Sequence, residues 1–255
     1  MTDNSGAISV DDKNVVIIGG TSGIGLEIGR AFARNGADVV ASSRSEDSVA
    51  DAAAELRDLG AETAEVTCNV RDLESIENLK DEAEAALGEI DVLVNSAGSV
   101  AAAPVTEMTE DEWFQDIDVC LSGVFRATKV FGAAMDEGSI INISSMSAEQ
   151  SREERAGYVS AKAGLNGLTR ATAADLAPDI RVNAIAPGFV KTELAGPKLE
   201  DGSEFREGVD ERTSMERVAT PDEISGAALY LASDAASFTT GEIITIDGGY
   251  DRSSV

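Results

Sequence analysis

Residues 15–25 confine this chain to few folds. Val15-Val16-Ile17-Ile18 is an unbroken apolar run, as expected of a parallel strand covered on both faces. It ends in Gly19-Gly20-Thr21-Ser22-Gly23-Ile24-Gly25, after which apolar Ile24, Ile28, Ala31 and Phe32 recur at helical spacing. A strand that turns this tightly into a helix brings the helix's unpaired N–H groups and positive dipole end beside the carboxyl end of the strand. Gly19, Gly23 and Gly25 let the backbone turn sharply and approach a bound group, so the turn suits a pyrophosphate; a purely structural glycine turn is the alternative.

The rest of the chain continues the same rhythm. Apolar strand candidates at 15–19, 37–42, 63–67, 90–95, 139–144, 181–186 and 242–246 alternate with helical stretches near 23–35, 46–59, 72–87, 109–135, 156–177 and 221–232. Such alternation predicts an α/β fold, a Rossmann-type, doubly wound parallel sheet of about seven strands with helices on both faces. Residues 1–255 read as one domain, with the first ten or so residues polar and frayed. The charged stretch 196–213 interrupts the alternation.

Tyr158 and Lys162 lie four residues apart, on one face of a predicted helix, and follow Ser145. An ammonium beside a phenol favours the ionised phenol, so the tyrosine becomes a proton donor and acceptor usable near neutral pH, with Lys162 as its tuner. Ser145 ends the strand Ile140-Ile141-Asn142-Ile143-Ser144, where sheets of this kind place their chemistry, and its hydroxyl can donate to a substrate oxygen. Alone, a tyrosine and lysine at this spacing are ordinary helix-surface neighbours; the glycine turn and the strand end give them meaning.

Together these motifs resemble the short-chain dehydrogenase/reductase family over nearly the whole chain. The family's Thr-Gly-x-x-x-Gly-x-Gly is matched by Ile18-Gly19-Gly20-Thr21-Ser22-Gly23-Ile24-Gly25, with Ile18 in place of the threonine. Its Asn-Asn-Ala-Gly is matched by Asn95-Ser96-Ala97-Gly98, and its Ser and Tyr-x-x-x-Lys set is intact at Ser145, Tyr158 and Lys162. Pro187-Gly188, Val190 and Thr192 resemble the nicotinamide-contacting segment, and Asp247-Gly248-Gly249 the C-terminal signature. The resemblance implies hydride transfer between a nicotinamide cofactor and a carbonyl or secondary alcohol. Tyr158 would be the acid/base, Ser145 would orient the oxygen and Lys162 would also hold the nicotinamide ribose. It further implies that 196–213 is a mobile segment covering the substrate, a plain surface loop being the alternative. The substrate classes left open are 3-oxoacyl thioesters, small polar ketones, and sugars or polyols.

Cofactor preference is legible at the end of the second strand. Ser43 stands where relatives that prefer NAD carry aspartate, and the guanidinium of Arg44 can grip a 2′-phosphate through two parallel hydrogen bonds. NADP(H) is therefore expected over NAD(H), unless Arg44 pairs with Glu46 or Asp47 and leaves both usable. By resemblance, Asn69 and Val70 border the adenine; Asn69 as a simple turn residue is the alternative. One departure concerns the family's fourth catalytic residue, an asparagine, which aligns with Cys120. Cysteine is a weak donor and acceptor, so a slowed or rerouted proton relay through backbone groups or Ser122 is expected. A nucleotide-binding redox sensor with weak turnover is the rival reading.

Residues 146–157 carry Glu149, Arg152, Glu153, Glu154 and Arg155, which favours a polar substrate over a steroid or long acyl chain. Arg152 or Arg155 could meet a carboxylate or a phosphopantetheine phosphate, or belong to a solvated salt-bridged loop. Forty-seven acidic against twenty basic residues give a net charge of −27. Self-repulsion on this scale is tolerable when screened, as in molar salt where the Debye length is about 3 Å, so a halophilic cytoplasm is the expected setting. The same charge disfavours nucleic acid and anionic membranes as partners. Cys68 and Cys120 match no metal spacing, the chain has no histidine, and no apolar run is long enough for a membrane, so a cytoplasmic protein without a metal is expected. A homotetramer or homodimer is implied by resemblance.

Overall fold

The computed structural model describes residues 8–150 and 152–250. Six parallel strands form one sheet in the order β2-β1-β3-β4-β5-β6. They are β1 (Asn14–Ile18), β2 (Asp38–Ser42), β3 (Val92–Asn95), β4 (Gly138–Ile143), β5 (Ile180–Pro187) and β6 (Ile243–Ile246). Between them run α1 (Gly23–Arg34), α2 (Glu46–Asp58), α3 (Leu73–Leu87), α4 (Glu110–Ile117), α5 (Gly123–Gly132), α6 (Ala156–Leu176), α7 (Glu204–Arg212) and α8 (Ser225–Ala232).

The strand period of two divides the apolar residues between two cores. Val15, Ile17, Val39, Val92, Val94 and Ile141 face one layer, with Ile28 and Phe32 of α1, Leu56 of α2 and Leu231 of α8. Val16, Ile18, Val40, Leu93 and Ile140 face the other, with Ile76 and Leu79 of α3, Phe131 of α5 and Ala173 of α6. Each such side chain, fully buried, contributes roughly 1.5–3 kcal/mol relative to exposure, which is why the central strands read as continuous apolar runs.

One expectation is corrected and another refined. The strand expected at 63–67 is not part of the sheet, so there are six strands and not about seven. That segment lies along β2 with isolated bonds: the Val39 N–H donates to the Glu62 carbonyl (3.0 Å) and the Cys68 N–H to the Ser43 carbonyl (2.8 Å). Between them the Ser42 hydroxyl donates to the Val66 carbonyl (2.6 Å), so a side chain holds the edge where a ladder would need backbone. The helical stretch expected near 109–135 is continuous over 110–132, with a π-helical turn at Asp118–Ser122 between α4 and α5 that the sequence reading did not anticipate.

Of the first ten or so residues expected to be frayed, 1–7 lie outside the described residues, and Val10 departs from the expectation by being buried against the first core. The stretch 196–213 holds a 3₁₀ turn at Pro197–Leu199 and α7, and it packs Leu199 and Val209 against Met146 and Tyr250. Among the described residues no helix is long and apolar enough to cross a membrane.

Candidate active site

Strand order reverses at β1. The chain passes from β1 to β2 on one side and returns to β3 on the other, which opens a crevice at the carboxyl ends of β1 and β3. Gly19 leaves β1 with φ +82°, and a Cβ there would lie 2.5 Å from the Ala97 nitrogen, so only glycine lets the β1 and β3 loops close on each other. Its N–H donates to the Ser42 carbonyl (2.8 Å), which fixes the turn against β2. Ser22 precedes α1 in extended conformation without using its side chain as a cap, which leaves the helix N–H groups facing the crevice.

The resulting cleft is about 1500 Å³. Its walls include Gly19, Thr21, Ser22, Gly23 and Ile24 of the turn, Ser43 and Arg44 after β2, and Asn69 and Val70. Ala97 and Gly98 after β3 and Pro187, Gly188, Val190 and Thr192 after β5 complete this side. Asn69 is also a turn residue, its carboxamide oxygen accepting from the Arg71 N–H (3.2 Å). Asn95 and Gly25 stand behind the wall. The Asn95 amide donates to Asn142 (2.9 Å), whose own amide donates to Thr169 (3.0 Å), a buried chain that ties β3 and β4 to α6.

Ser145, Tyr158 and Lys162 all line this cleft. Ser145 lies two residues beyond β4, and its hydroxyl oxygen accepts from the Ser147 N–H (3.1 Å). Tyr158 and Lys162 occupy the first turns of α6. Lys162 is 4% exposed, donates from Nζ to the Ile143 carbonyl at the end of β4 (2.7 Å), and holds Nζ 5.7 Å from the Tyr158 ring centre. One ammonium thereby links the strand that carries Ser145 to the helix that carries Tyr158.

Cys120 sits within the π turn and is fully buried. Its sulfur accepts from the Ser99 N–H (3.4 Å) and its thiol points to the Ser99 carbonyl (3.5 Å), weak bonds on the loop that follows β3. One helical turn earlier Asp116, also fully buried, supplies stronger ones: its carboxylate accepts from the Ser99 hydroxyl (3.0 Å) and the Ala101 N–H (3.1 Å). A Cβ on Gly157, the residue before Tyr158, would lie 3.2 Å from that carboxylate, so Asp116 braces both the loop and the start of α6. The sequence reading missed it, because one more aspartate on an acidic helix carries no signal.

Burial pushes the Asp116 carboxyl above its ordinary 3.8, against the lowering effect of the Ala101 N–H, the Ser99 hydroxyl and the charges of Arg155 and Lys162. The unfolded chain therefore releases this proton at lower pH than the folded protein, and the stability linked to it falls as pH rises from the ordinary value to the raised one. Asp116→Asn removes the titration. The stability of wild type relative to this variant should decline with rising pH across that window, as read by urea unfolding at a series of pH values; a constant difference would contradict the buried-carboxylate account. Cys68, buried beside β2, has its thiol pushed up to about 11 by desolvation and is inert at ordinary pH.

The glycine cradle, the open N-terminus of α1 and a cleft of this volume fit a dinucleotide, with Ser43 and Arg44 at the end of the cleft beyond β2. Comparison with known proteins agrees with the geometry. A family model described as enoyl-(acyl carrier protein) reductase matches residues 19–251. The galactitol 2-dehydrogenase (L-tagatose-forming) of Cereibacter sphaeroides is 39% identical over 247 residues, covering 94% of this chain and 96% of its own. The chain belongs to the short-chain dehydrogenase/reductase family. Another family member, the 3-oxoacyl-[acyl-carrier-protein] reductase FabG of Thermotoga maritima, is 36% identical over 94% of this chain and 98% of its own. The crystal structure of a gluconate 5-dehydrogenase from Burkholderia cenocepacia in complex with NADP and tartrate superposes with a TM-score of 0.91 at 34% identity, covering 98% of this chain and 99% of that one.

Proposed function

We propose that this protein is an NADP(H)-dependent oxidoreductase that interconverts a carbonyl and a secondary alcohol. The observation that carries the reading is the convergence of Ser145, Tyr158 and Lys162 on the cleft that the glycine turn opens. When bound, the nicotinamide supplies or takes up the hydride at the substrate carbon. Tyr158 gives a proton to the carbonyl oxygen in reduction and removes it in oxidation. Ser145 donates a hydrogen bond to the same oxygen and fixes its position. Lys162 offsets the negative charge left on the tyrosine oxygen after proton transfer, and Ile143 holds the ammonium in place. Holding both reactants in a near-attack arrangement provides much of the acceleration.

NADP(H) is preferred in this reading because nothing acidic follows β2 at Ser43. Among the described residues no ion pair ties Arg44 to Glu46 or Asp47, so its guanidinium is open to a 2′-phosphate. Arg44→Asp is expected to weaken NADPH binding roughly ten- to hundredfold and to strengthen NADH binding, as measured by fluorescence titration of each. Unchanged affinities would refute the phosphate clamp.

The relatives support two substrate readings: reduction of a 3-oxoacyl thioester or small polar ketone, and oxidation of a sugar or polyol. Burial of Cys120 against Ser99 disfavours the redox-sensor alternative, because an inaccessible thiol cannot meet an oxidant. The acidic surface suits a salt-rich cytoplasm, and a homotetramer or homodimer is the assembly that family membership suggests. The deciding assay follows NADPH consumption, with NADH alongside, in concentrated KCl against acetoacetyl thioesters, diketones and small ketones, with NADP⁺-dependent polyol oxidation in parallel. Cofactor binding without turnover of any class would overturn the enzymatic reading.

A further inference from the structure

The loop after β3 runs from the glycine turn to the residues just before Tyr158. At its start the Ser96 N–H donates to the Ile18 carbonyl (2.8 Å), and Ala97 lies against Gly19. At its end the Ala103 N–H donates to the Glu154 carbonyl (3.1 Å). Between these anchors Ser99 and Val100 line the cleft. Among the described residues, no backbone-to-backbone hydrogen bond ties 99–101 to the rest of the fold. This stretch of cleft wall therefore depends on side chains for its place.

Two side chains hold it, about one helical turn apart. Cys120 offers a sulfur 3.4 Å from the Ser99 nitrogen, a weak acceptor. Asp116 offers a carboxylate: the Ser99 hydroxyl donates to Oδ1 (3.0 Å), and the Ala101 N–H is shared between Oδ1 and Oδ2 (3.1 Å each). Hydrogen bonds to an ionised acceptor are roughly twice as strong as neutral ones, so the carboxylate is the principal tie. The same group abuts α6, where a Cβ on Gly157 would lie 3.2 Å from Oδ2 and 3.3 Å from the Asp116 Cβ. That leaves no slack between α4 and the residue before Tyr158. Asp116 is fully buried, and the proton transfer assigned to Tyr158, Ser145 and Lys162 does not use it. Burying a carboxylate is costly unless hydrogen bonds compensate, and here the compensating donors are those of the cleft wall.

We propose that Asp116 is a positioning residue for hydride transfer: its ionised carboxylate fixes the wall at Ser99–Ala101 against the start of α6, and so sets where the substrate stands relative to the Tyr158 oxygen. The proposal rests on the active-site reading above and adds to it the group that holds the wall and the acid/base in register. Protonation weakens the tie, because a carboxyl group turns one acceptor oxygen into a donor. Burial, the largest influence, raises the carboxyl above its ordinary value. The charges acting against this are those of Arg155, which precedes α6, and Lys162, within it; the loop after β3 faces Asp116 with a hydroxyl and an N–H. Wild-type kcat should therefore fall on acidification at a pH above the ordinary carboxylate range.

The test compares full-length wild type, Asp116→Asn and Asp116→Ala in concentrated KCl. It reads kcat across pH with the ketone or diketone that wild type reduces fastest, NADPH affinity by fluorescence titration, and hydrogen exchange of a peptide spanning 99–103. Asparagine keeps the volume but has one acceptor oxygen instead of two, and alanine has none. The expected fall in kcat is about tenfold for Asp116→Asn and on the order of 100-fold for Asp116→Ala. NADPH affinity should stay within about threefold of wild type in both, which separates positioning from cofactor binding. The 99–103 peptide should exchange faster in the order wild type, Asn, Ala, and the acid limb of kcat should vanish in Asp116→Asn. Wild-type kcat in Asp116→Asn would overturn the proposal. So would a loss of kcat without faster exchange of 99–103, or a fall in NADPH affinity in step with kcat. If Asp116→Ala does not fold, Asp116→Asn decides. A wild type that turns over no substrate sinks the enzymatic reading and this proposal together, whereas an active wild type matched by Asp116→Asn at every pH sinks this proposal alone.

Discussion

Tyr158→Phe is expected to lower kcat by roughly 10²- to 10⁴-fold, the range that a positioned general acid/base contributes, and to leave NADPH affinity within about threefold of wild type. The substitution removes one oxygen and keeps the ring. Lys162 keeps its bond to Ile143, and the ammonium stays within reach of the phenyl face. Ser145 keeps the Ser147 N–H, and the glycine cradle is untouched. Because the hydroxyl faces a cleft and not the core, stability should move by no more than about 0.5 kcal/mol. The experiment reads single-turnover NADPH oxidation beside NADPH binding and thermal unfolding. Retention of most of the activity would exclude Tyr158 as the proton donor; parallel loss of affinity and stability would mean that the ring's placement, not its proton, had been disturbed.

What the sequence disclosed follows from how local each signal is. The β1 run, the glycine turn and the amphipathic α1 are continuous in the chain, so the strand, the turn and the helix could be placed from spacing alone. Ser145, Tyr158 and Lys162 were legible because a strand end and an i, i+4 helix pair are local features, and the structure brings all three to one cleft. The edge segment 63–67 was apolar enough to read as a strand, but the Ser42 hydroxyl engages its Val66 carbonyl, an interaction that no window of residues reveals. The π turn within 109–135 was equally hidden, since it is one added residue in a helix whose composition stays helical. Asp116 was masked by the acidic excess that made the whole surface readable. Phe189 and Tyr250, far apart in the chain, meet edge-on at 5.2 Å, so only tertiary structure shows that Arg152, read as an ambiguous loop charge, lies over the Phe189 ring.

Gly25→Ala is expected to damage cofactor binding through a single added methyl group. A Cβ at Gly25 would lie 2.1 Å from the Gly19 carbonyl oxygen, 2.9 Å from its carbon and 3.0 Å from the Ser96 hydroxyl. The first two are backbone, so no rotamer change relieves the clash. Gly19 and Gly20 are themselves held, both N–H groups donating to the Ser42 carbonyl (2.8 and 3.1 Å), and the Ser96 N–H is fixed to the Ile18 carbonyl (2.8 Å). The start of α1 is the part left to move, although Ile28 and Phe32 resist by anchoring the helix in the core. Overpacking of this kind typically costs 1–3 kcal/mol, so the variant is expected to fold with a reduced Tm. Displacing the α1 N–H groups from the turn by about 1 Å is enough to cost on the order of 100-fold in a positioned interaction, and NADPH affinity should fall by about that factor. Fluorescence titration of NADPH, with circular dichroism to confirm the fold, checks the prediction. Wild-type affinity in a folded Gly25→Ala protein would show that the phosphates do not rest on this turn, and the cofactor reading would then lose the geometry on which it stands.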